Sequence, residues 1–252
     1  MTFLLGLDGR PGILADAEPR AALRAQQRFA QRATVILSPV TRRTLSLLSA
    51  AAAGYLVGTT PSARLIAQLK TGGSIDLRSA GSGNPGALNA LRLLGRRAGG
   101  VVVVADVGKG IAACVLGRRL AGDGGAHLSG VAAVAGHCYP LWTGFRGGKG
   151  VATSFGQCLY TFPVFAPVDA AVAVAVGRRP GVRRPALASV AASSTAWLLA
   201  SVLWWRRGGP NLWGPRPTAA LPLANAATVA IIASRAARRS QRERPDEFGP
   251  RQ

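Results

Sequence analysis

Charged side chains are absent from long stretches of this chain and crowd into the gaps between them. Leu45–Ala63 runs nineteen residues without a charge, close to the roughly 20 that a helix needs to cross a bilayer's hydrocarbon core. Pro61 and Arg64 mark its end. Ala98–Leu116, His127–Phe145, Ala186–Trp205 and Thr218–Ser234 read as further spans, with Trp142 near the end of the third at the expected interface. Val151–Gly177 holds 27 residues with one charge, Asp169, and two prolines, Pro163 and Pro167. That length is too great for one crossing and too small for two full ones. It reads as two short helices broken at the prolines, because the charge pattern requires an even number of crossings there. The expected fold is therefore all-α, a polytopic integral membrane helix bundle of about seven transmembrane helices. Alanine and glycine dominate the spans, as closely packed membrane helices often require.

The net charge of +21 would suggest nucleic acid in a soluble protein. Here the arginines lie between apolar segments and none forms an aromatic-interleaved patch, so membrane topology explains them and no nucleic-acid partner is expected. With the N-terminus outside, Lys and Arg beyond residue 44 gather on the inner face. Residues 1–44 read as a basic extension, disordered or surface-lying. Met1–Leu7 is too short for a signal-peptide core. Residues 45–234 form the membrane domain and 235–252 a basic polar tail. Cys114, Cys138 and Cys158 fall inside apolar segments without paired spacing, so burial is their default and no disulfide framework or zinc site follows. Ten carboxylates, none of them closely paired in the central part, argue against a glycosidase pair or a two-metal site.

Two glycine-rich runs carry the chemistry. The first is Ser79-Ala-Gly-Ser-Gly-Asn-Pro-Gly-Ala-Leu-Asn-Ala-Leu-Arg92, with Arg78 before it; the second runs from Gly136 to Thr153. Glycine lets backbone N–H groups converge on phosphate oxygens, and arginine forks onto what remains. Gly81-x-Gly-x-x-Gly86 matches the dinucleotide fingerprint, but no strand precedes it and no βαβ unit is available. Gly144–Gly150 matches a Walker A loop in part, but Gly150 stands where the magnesium-holding hydroxyl belongs. A transporter is disfavoured because the glycine runs lie at helix ends, not at mid-membrane breaks.

Gly81-Ser-Gly-Asn-Pro-Gly-Ala-Leu-Asn89, Gly136-His-x-Tyr-Pro140 and Phe145-Arg-Gly-Gly-Lys-Gly-Val-Ala-Thr153 resemble the first two motifs of PlsY-type acyl-phosphate:glycerol-3-phosphate acyltransferases. The resemblance spans about Gly54 to Thr153. It implies transfer of a fatty acyl group from acyl phosphate to glycerol 3-phosphate, giving lysophosphatidic acid, at the cytoplasmic face of a bacterial cell membrane. It implies no cofactor and no metal. Gly81, Ser82, Gly83, Asn84, Gly86 and Asn89 would hold one phosphate. Arg92 and Lys149 would bind substrate charge, with Gly147, Gly148 and Gly150 giving close approach and Ser189 completing the binding set.

Ser82, His137 and Lys149 are the candidate catalytic groups, although no base partner can be assigned to Ser82. His137 is either a general base or a residue that orients its loop, since the leaving phosphate could itself take the proton. Asp106 and Lys109 share a helical face, either as a structural ion pair or with Lys109 neutralising phosphate. His127 lies outside any motif and reads as interfacial.

Three departures from the family pattern stand out. Leu88 replaces a threonine and Ala186 a serine. The last motif, His-Arg-x-Asn, should fall near Ser234–Arg239, where this chain reads Ser-Arg-Ala-Ala-Arg-Arg. A silent or repurposed homologue that binds phosphorylated ligands therefore stands as the alternative to an acyltransferase.

Overall fold

The computed structural model describes Gln26 and residues 39–242. Most of the basic extension expected over residues 1–44, and residues 243–252 of the tail, lie outside the described residues. The chain divides into two units, residues 1–44 and 45–252; the second holds the helices that matter here. Among the described residues there is no strand. The helices are α1 (Pro39–Gly58), α2 (Ser62–Thr71), α3 (Ala87–Leu94), α4 (Arg96–Cys138), α5 (Val151–Thr161), α6 (Ala166–Gly177), α7 (Pro185–Arg207) and α8 (Ala220–Arg242), with a 3₁₀ turn at Leu141–Thr143.

Helix α4 is two helices in one. Ala121 (φ −145°, ψ 25°) and Gly122 (φ 64°, ψ −156°) leave helical geometry, and glycine takes the positive φ without a Cβ penalty. The second arm folds back on the first. Ser129 Oγ donates to Ala113 O at 2.7 Å across the pair. A Cβ on Gly117 would strike the Gly125 carbonyl, and one on Gly125 would strike that of Gly117. These are the second and third spans read from the sequence. The third ends at Cys138, earlier than the expected Phe145: Tyr139 precedes Pro140 and leaves the helix (φ −133°, ψ 59°), as residues before proline tend to. Trp142 sits in the following turn and donates from Nε1 to Thr59 Oγ1 at 2.9 Å.

Val151–Gly177 is broken as expected. Helix α5 stops at Thr161 and α6 starts at Ala166, with Pro163 and Pro167 at the corner and Phe162 stacked on Phe165. The last helix continues to Arg242, past the expected end at Ser234. Among the described residues three stretches are long and apolar enough to cross a membrane: Arg96–Thr143, Pro185–Arg207 and Ala220–Arg238. Ala166–Gly177 is apolar but shorter.

Contacts fix the directions. Gly58 packs on Ala133, Gly136 on Tyr55, Gly150 against Cys138 and Ile232, and Gly177 beside Ser189. The ends of α1, α4, α6 and α8 and the starts of α5 and α7 therefore share one face, and both glycine-rich loops lie there. At the opposite end Asp123 pairs with Arg118 at 3.0 Å and accepts from Arg216 N at 3.3 Å, tying the α4 turn to the α7–α8 loop.

The bundle is apolar outside, and polar contacts cross its interior between apolar clusters. Helix α7 buries only Trp197 and Ser201 and turns Leu187, Leu199 and Leu203 outward, which is costly in water and cheap in lipid. Between α5, α7 and α8, Thr228 Oγ1 donates to Gln157 Oε1 at 2.9 Å. With its amide turned to suit its neighbours, Asn225 accepts from Ser201 Oγ at 3.3 Å and Trp197 Nε1 at 3.2 Å. Such bonds hold membrane helices together where hydrophobicity cannot.

The α4 hairpin yields a paired test. Gly125→Leu should cost about 1–3 kcal/mol or more by overpacking, seen as a lower melting temperature in detergent. Gly124→Leu should be tolerated, because a Cβ there meets only Leu47 Cδ2 at 3.8 Å.

Candidate active site

The loop face holds a buried charge cluster. Asp106, 2 % exposed, meets Lys109 Nζ at 2.8 Å one turn along α4. Ser62 Oγ, at the start of α2, donates to the same carboxylate oxygen. His137, from the second arm of α4, places Nδ1 3.6 Å away. Lys109 also donates to Thr60 O at 3.2 Å. Burying a carboxylate is costly unless it is paired and hydrogen-bonded. Here one carboxylate draws together the α1–α2 corner and both arms of α4.

Above the cluster opens a cleft with Lys109, His137, Arg64, Arg78, Arg146 and Gly148 among its lining residues. Four cations surround the opening against two carboxylates, Asp106 paired with Lys109 at 2.8 Å and Asp76 with Arg78 at 3.6 Å. An electropositive mouth of this kind suits phosphate oxygens.

The second glycine loop folds back onto the end of α4. Gly147 N donates to Cys138 O at 3.1 Å and Gly148 N to His137 O at 3.0 Å. Gly148 lies flat against the imidazole, where a Cβ would strike Nε2. Arg235 on α8 holds the loop from the other side: its Nε donates to Gly148 O at 3.2 Å and its Nη2 to Gly147 O at 2.6 Å. The Arg235 and Arg238 guanidiniums stack over the Tyr139 ring, 5.8 and 5.5 Å from its centroid. Ser234 shares a 2.8 Å hydrogen bond with Tyr139 Oη.

In the first loop Asn89 works inward. Its Oδ1 accepts from Ser82 N, and its Nδ2 donates to Leu77 O and Ala80 O, each at 3.0 Å. The amide expected to face a phosphate is spent on the loop's own backbone. Asn84 is 7 % exposed, and its Oδ1 meets no partner. Gly81 and Gly83 both take φ 61°, and Ser82 stands exposed between them.

Of the residues read from the sequence, Arg78, Lys109, His137, Gly147 and Gly148 come together in the cleft wall, with Pro85 of the first loop. Gly86 and Gly150 are buried at the starts of α3 and α5. Lys149 is exposed on the loop and is not part of that wall, and the same holds for Arg92 in the last turn of α3. Ser189 lies elsewhere: its hydroxyl donates to Ala173 O and closes α6 onto α7. His127 is 3 % exposed with neither ring nitrogen bonded, a core residue and not an interfacial one. Arg64, Arg146, Ser62 and Arg235 were not singled out from the sequence. Arg146 and Arg235 lay inside recognised motif regions, but nothing local marked Arg64 or Ser62.

A second cavity runs between α4, α5, α6, α7 and α8, apolar along most of its length. Val151, the residue after Gly150, and Ile232, one turn before Arg235, line it. The cavity thus starts where the glycine loop ends. Among the described residues no group of three or more His, Cys, Asp or Glu could hold a metal ion.

Comparison with known proteins places the chain in a family. The family profile described as glycerol-3-phosphate acyltransferase matches residues 48–242. The glycerol-3-phosphate acyltransferase of Symbiobacterium thermophilum is 47 % identical over 118 residues, 47 % of this chain and 58 % of its own length. That of Thermoanaerobacter pseudethanolicus is 38 % identical over 150 residues, covering 60 % and 74 %. A crystal structure of PlsY (YgiH), an integral membrane glycerol 3-phosphate acyltransferase, in its glycerol 3-phosphate form, matches with TM-score 0.61 and 30 % identity over 81 % of this chain and 96 % of that one. The lysophosphatidic acid form matches with TM-score 0.60 and 29 % identity over the same shares. The chain is a membrane-embedded helix bundle and belongs to the glycerol-3-phosphate acyltransferase family.

Proposed function

We propose that this chain transfers an acyl group from acyl phosphate to a hydroxyl of glycerol 3-phosphate, releasing phosphate and lysophosphatidic acid, at the cytoplasmic face of a bacterial cell membrane. The observation that carries this reading is a pair of unlike spaces flanking the end of the second glycine loop. Gly148 lines a cleft ringed by Arg64, Arg78, Arg146 and Lys109, and Val151, three residues on, lines an apolar cavity with Ile232. The first suits two phosphates and the second a fatty tail, and the donor carries one of each. Related structures in glycerol 3-phosphate and lysophosphatidic acid forms support the same pairing.

The donor carbonyl is already activated, so the site has little covalent work to do. The acceptor oxygen bonds to the carbonyl carbon, the bond from that carbon to the phosphate oxygen breaks, and phosphate leaves. Holding the two substrates together and neutralising their charge supplies most of the acceleration. The released proton goes to the departing phosphate or to His137. The ring's setting favours the phosphate: Nδ1 faces Asp106 and Nε2 lies against Gly148, so His137 is better placed to orient the loop. Lys149, flanked by glycines and exposed, is free of bulky neighbours and can swing toward the leaving group.

One observation favours the alternative of a silent, phosphate-binding homologue. Ser234 and Ala237 stand where the family's last motif has His and Asn. Arg235 of that motif remains and holds the glycine loop, which supports an active site that has kept its scaffold. The deciding assay supplies purified protein with acyl phosphate and glycerol 3-phosphate. Turnover is expected with acyl phosphate and far less with acyl-coenzyme A; no turnover with either donor establishes the silent homologue.

Two variants probe the chemistry. Lys149→Met should slow turnover about 100-fold, the scale of losing one preorganised electrostatic donor. Its melting temperature should barely move, because exposed charges add little to stability. Near-wild-type turnover by a normally folded Lys149→Met protein would remove Lys149 from the site. Arg235→Ala frees two loop carbonyls, and a loop displaced by about 1 Å can cost about 100-fold in rate. Turnover should fall on that scale, and Arg235→Lys should recover only part, lacking the planar fork.

A further inference from the structure

The apolar cavity has one ionisable side chain in its wall, Asp169. It sits in the first turn of α6, half-buried, with Ser193 of α7 in the same wall. Ser194 lines the wall next to it. Nothing in the reaction proposed above uses this group, and the charge cluster under the cleft does not include it.

Its position gives it a job. Helix α6 runs toward the loop face and ends at Gly177, beside Ser189. Asp169 lies eight residues earlier, about 12 Å deeper at 1.5 Å per residue. The wall above it is Val151, Ala173, Val174, Val190 and Ile232. A fatty tail entering from the cleft therefore passes apolar surface first and meets a carboxylate further down.

A carboxylate at membrane depth stays charged only while water and hydrogen bonds attend it. A tail that stops short leaves those partners in place. A tail that runs past strips them away and gains methylene contacts at the expense of an unsolvated charge.

We propose that Asp169 limits how far an acyl chain extends into this cavity, so that the site selects shorter chains. The proposal rests on the acyltransferase reading for its substrate and on the cavity geometry for its direction.

The test uses the full chain in detergent, in wild-type, Asp169→Asn and Asp169→Leu forms. Lauroyl, myristoyl, palmitoyl and stearoyl lysophosphatidic acids are compared as thermal stabilisers, and the matching acyl phosphates are compared by kcat/KM. Wild type should favour the shorter tails in both series. Asp169→Leu should raise the stearoyl-to-lauroyl ratio about tenfold or more, with Asp169→Asn between, as expected when a charge at membrane depth is removed. Asp169→Asn keeps the shape and carries the comparison if the leucine variant folds poorly. An unchanged ranking of tail lengths in all three proteins overturns the proposal, whatever the absolute rates. If the lysophosphatidic acids rank as stated but no acyl phosphate is turned over, the chain limit stands and the acyltransferase reading falls.

Discussion

The Asp106 carboxylate is the contact on which the rest of the loop face depends. It is nearly fully buried in a bundle whose outer surface is apolar, and it meets Lys109, Ser62 and His137 at once. Each partner comes from a different place: the same turn of α4, the start of α2 and the end of the α4 hairpin. A single unpaired charge there would be intolerable. Pairing it therefore sets where α2 sits on α4 and how the hairpin closes, and with them the walls of the cleft. Lys109 and His137 carry this arrangement directly into the lining.

A second layer of positioning builds on the first. His137 lies between Asp106, 3.6 Å from its Nδ1, and Gly148, whose loop is bonded to the end of α4 and clamped by Arg235 from α8. The glycine loop is thus attached to two helices that are remote in sequence. The same loop leads into α5 at Val151, the first residue of the apolar cavity wall. Glycine-loop backbone and apolar cavity wall are joined by a few residues, the geometry that the proposed lipid-forming transfer at a membrane surface requires.

Much of this was legible in the sequence, because a bilayer imposes a simple rule on it. Charge-free stretches located the bundle helices, and Pro163 and Pro167 divided α5 from α6 where the charge pattern demanded. Boundaries were less legible. The third span stops at Cys138 because Tyr139-Pro140 ends the helix, and apolarity alone runs on to Phe145. The glycine motifs marked the right loops but not the direction of each side chain. Asn89 resembles a ligand-binding amide, yet it braces its own loop. Ser189 bonds within α6 and α7. Arg64 and Ser62 reach the cleft only because Pro61 turns the chain at the end of α1, a tertiary fact without a local signal. Arg235 was visible as the surviving member of a depleted motif, but its grip on Gly147 and Gly148 was not.

The account stands or falls on charge balance beneath the cleft, and the melting temperature of Asp106→Asn in detergent measures it most directly. Loss of the carboxylate strands Lys109 in a buried site, which costs about 3–5 kcal/mol when one partner of such a pair is removed. The single variant should melt far below wild type. The double variant Asp106→Asn with Lys109→Met should regain most of that loss, because no buried charge is left unpaired. An Asp106→Asn protein as stable as wild type, or a double variant no better than the single one, would contradict the account.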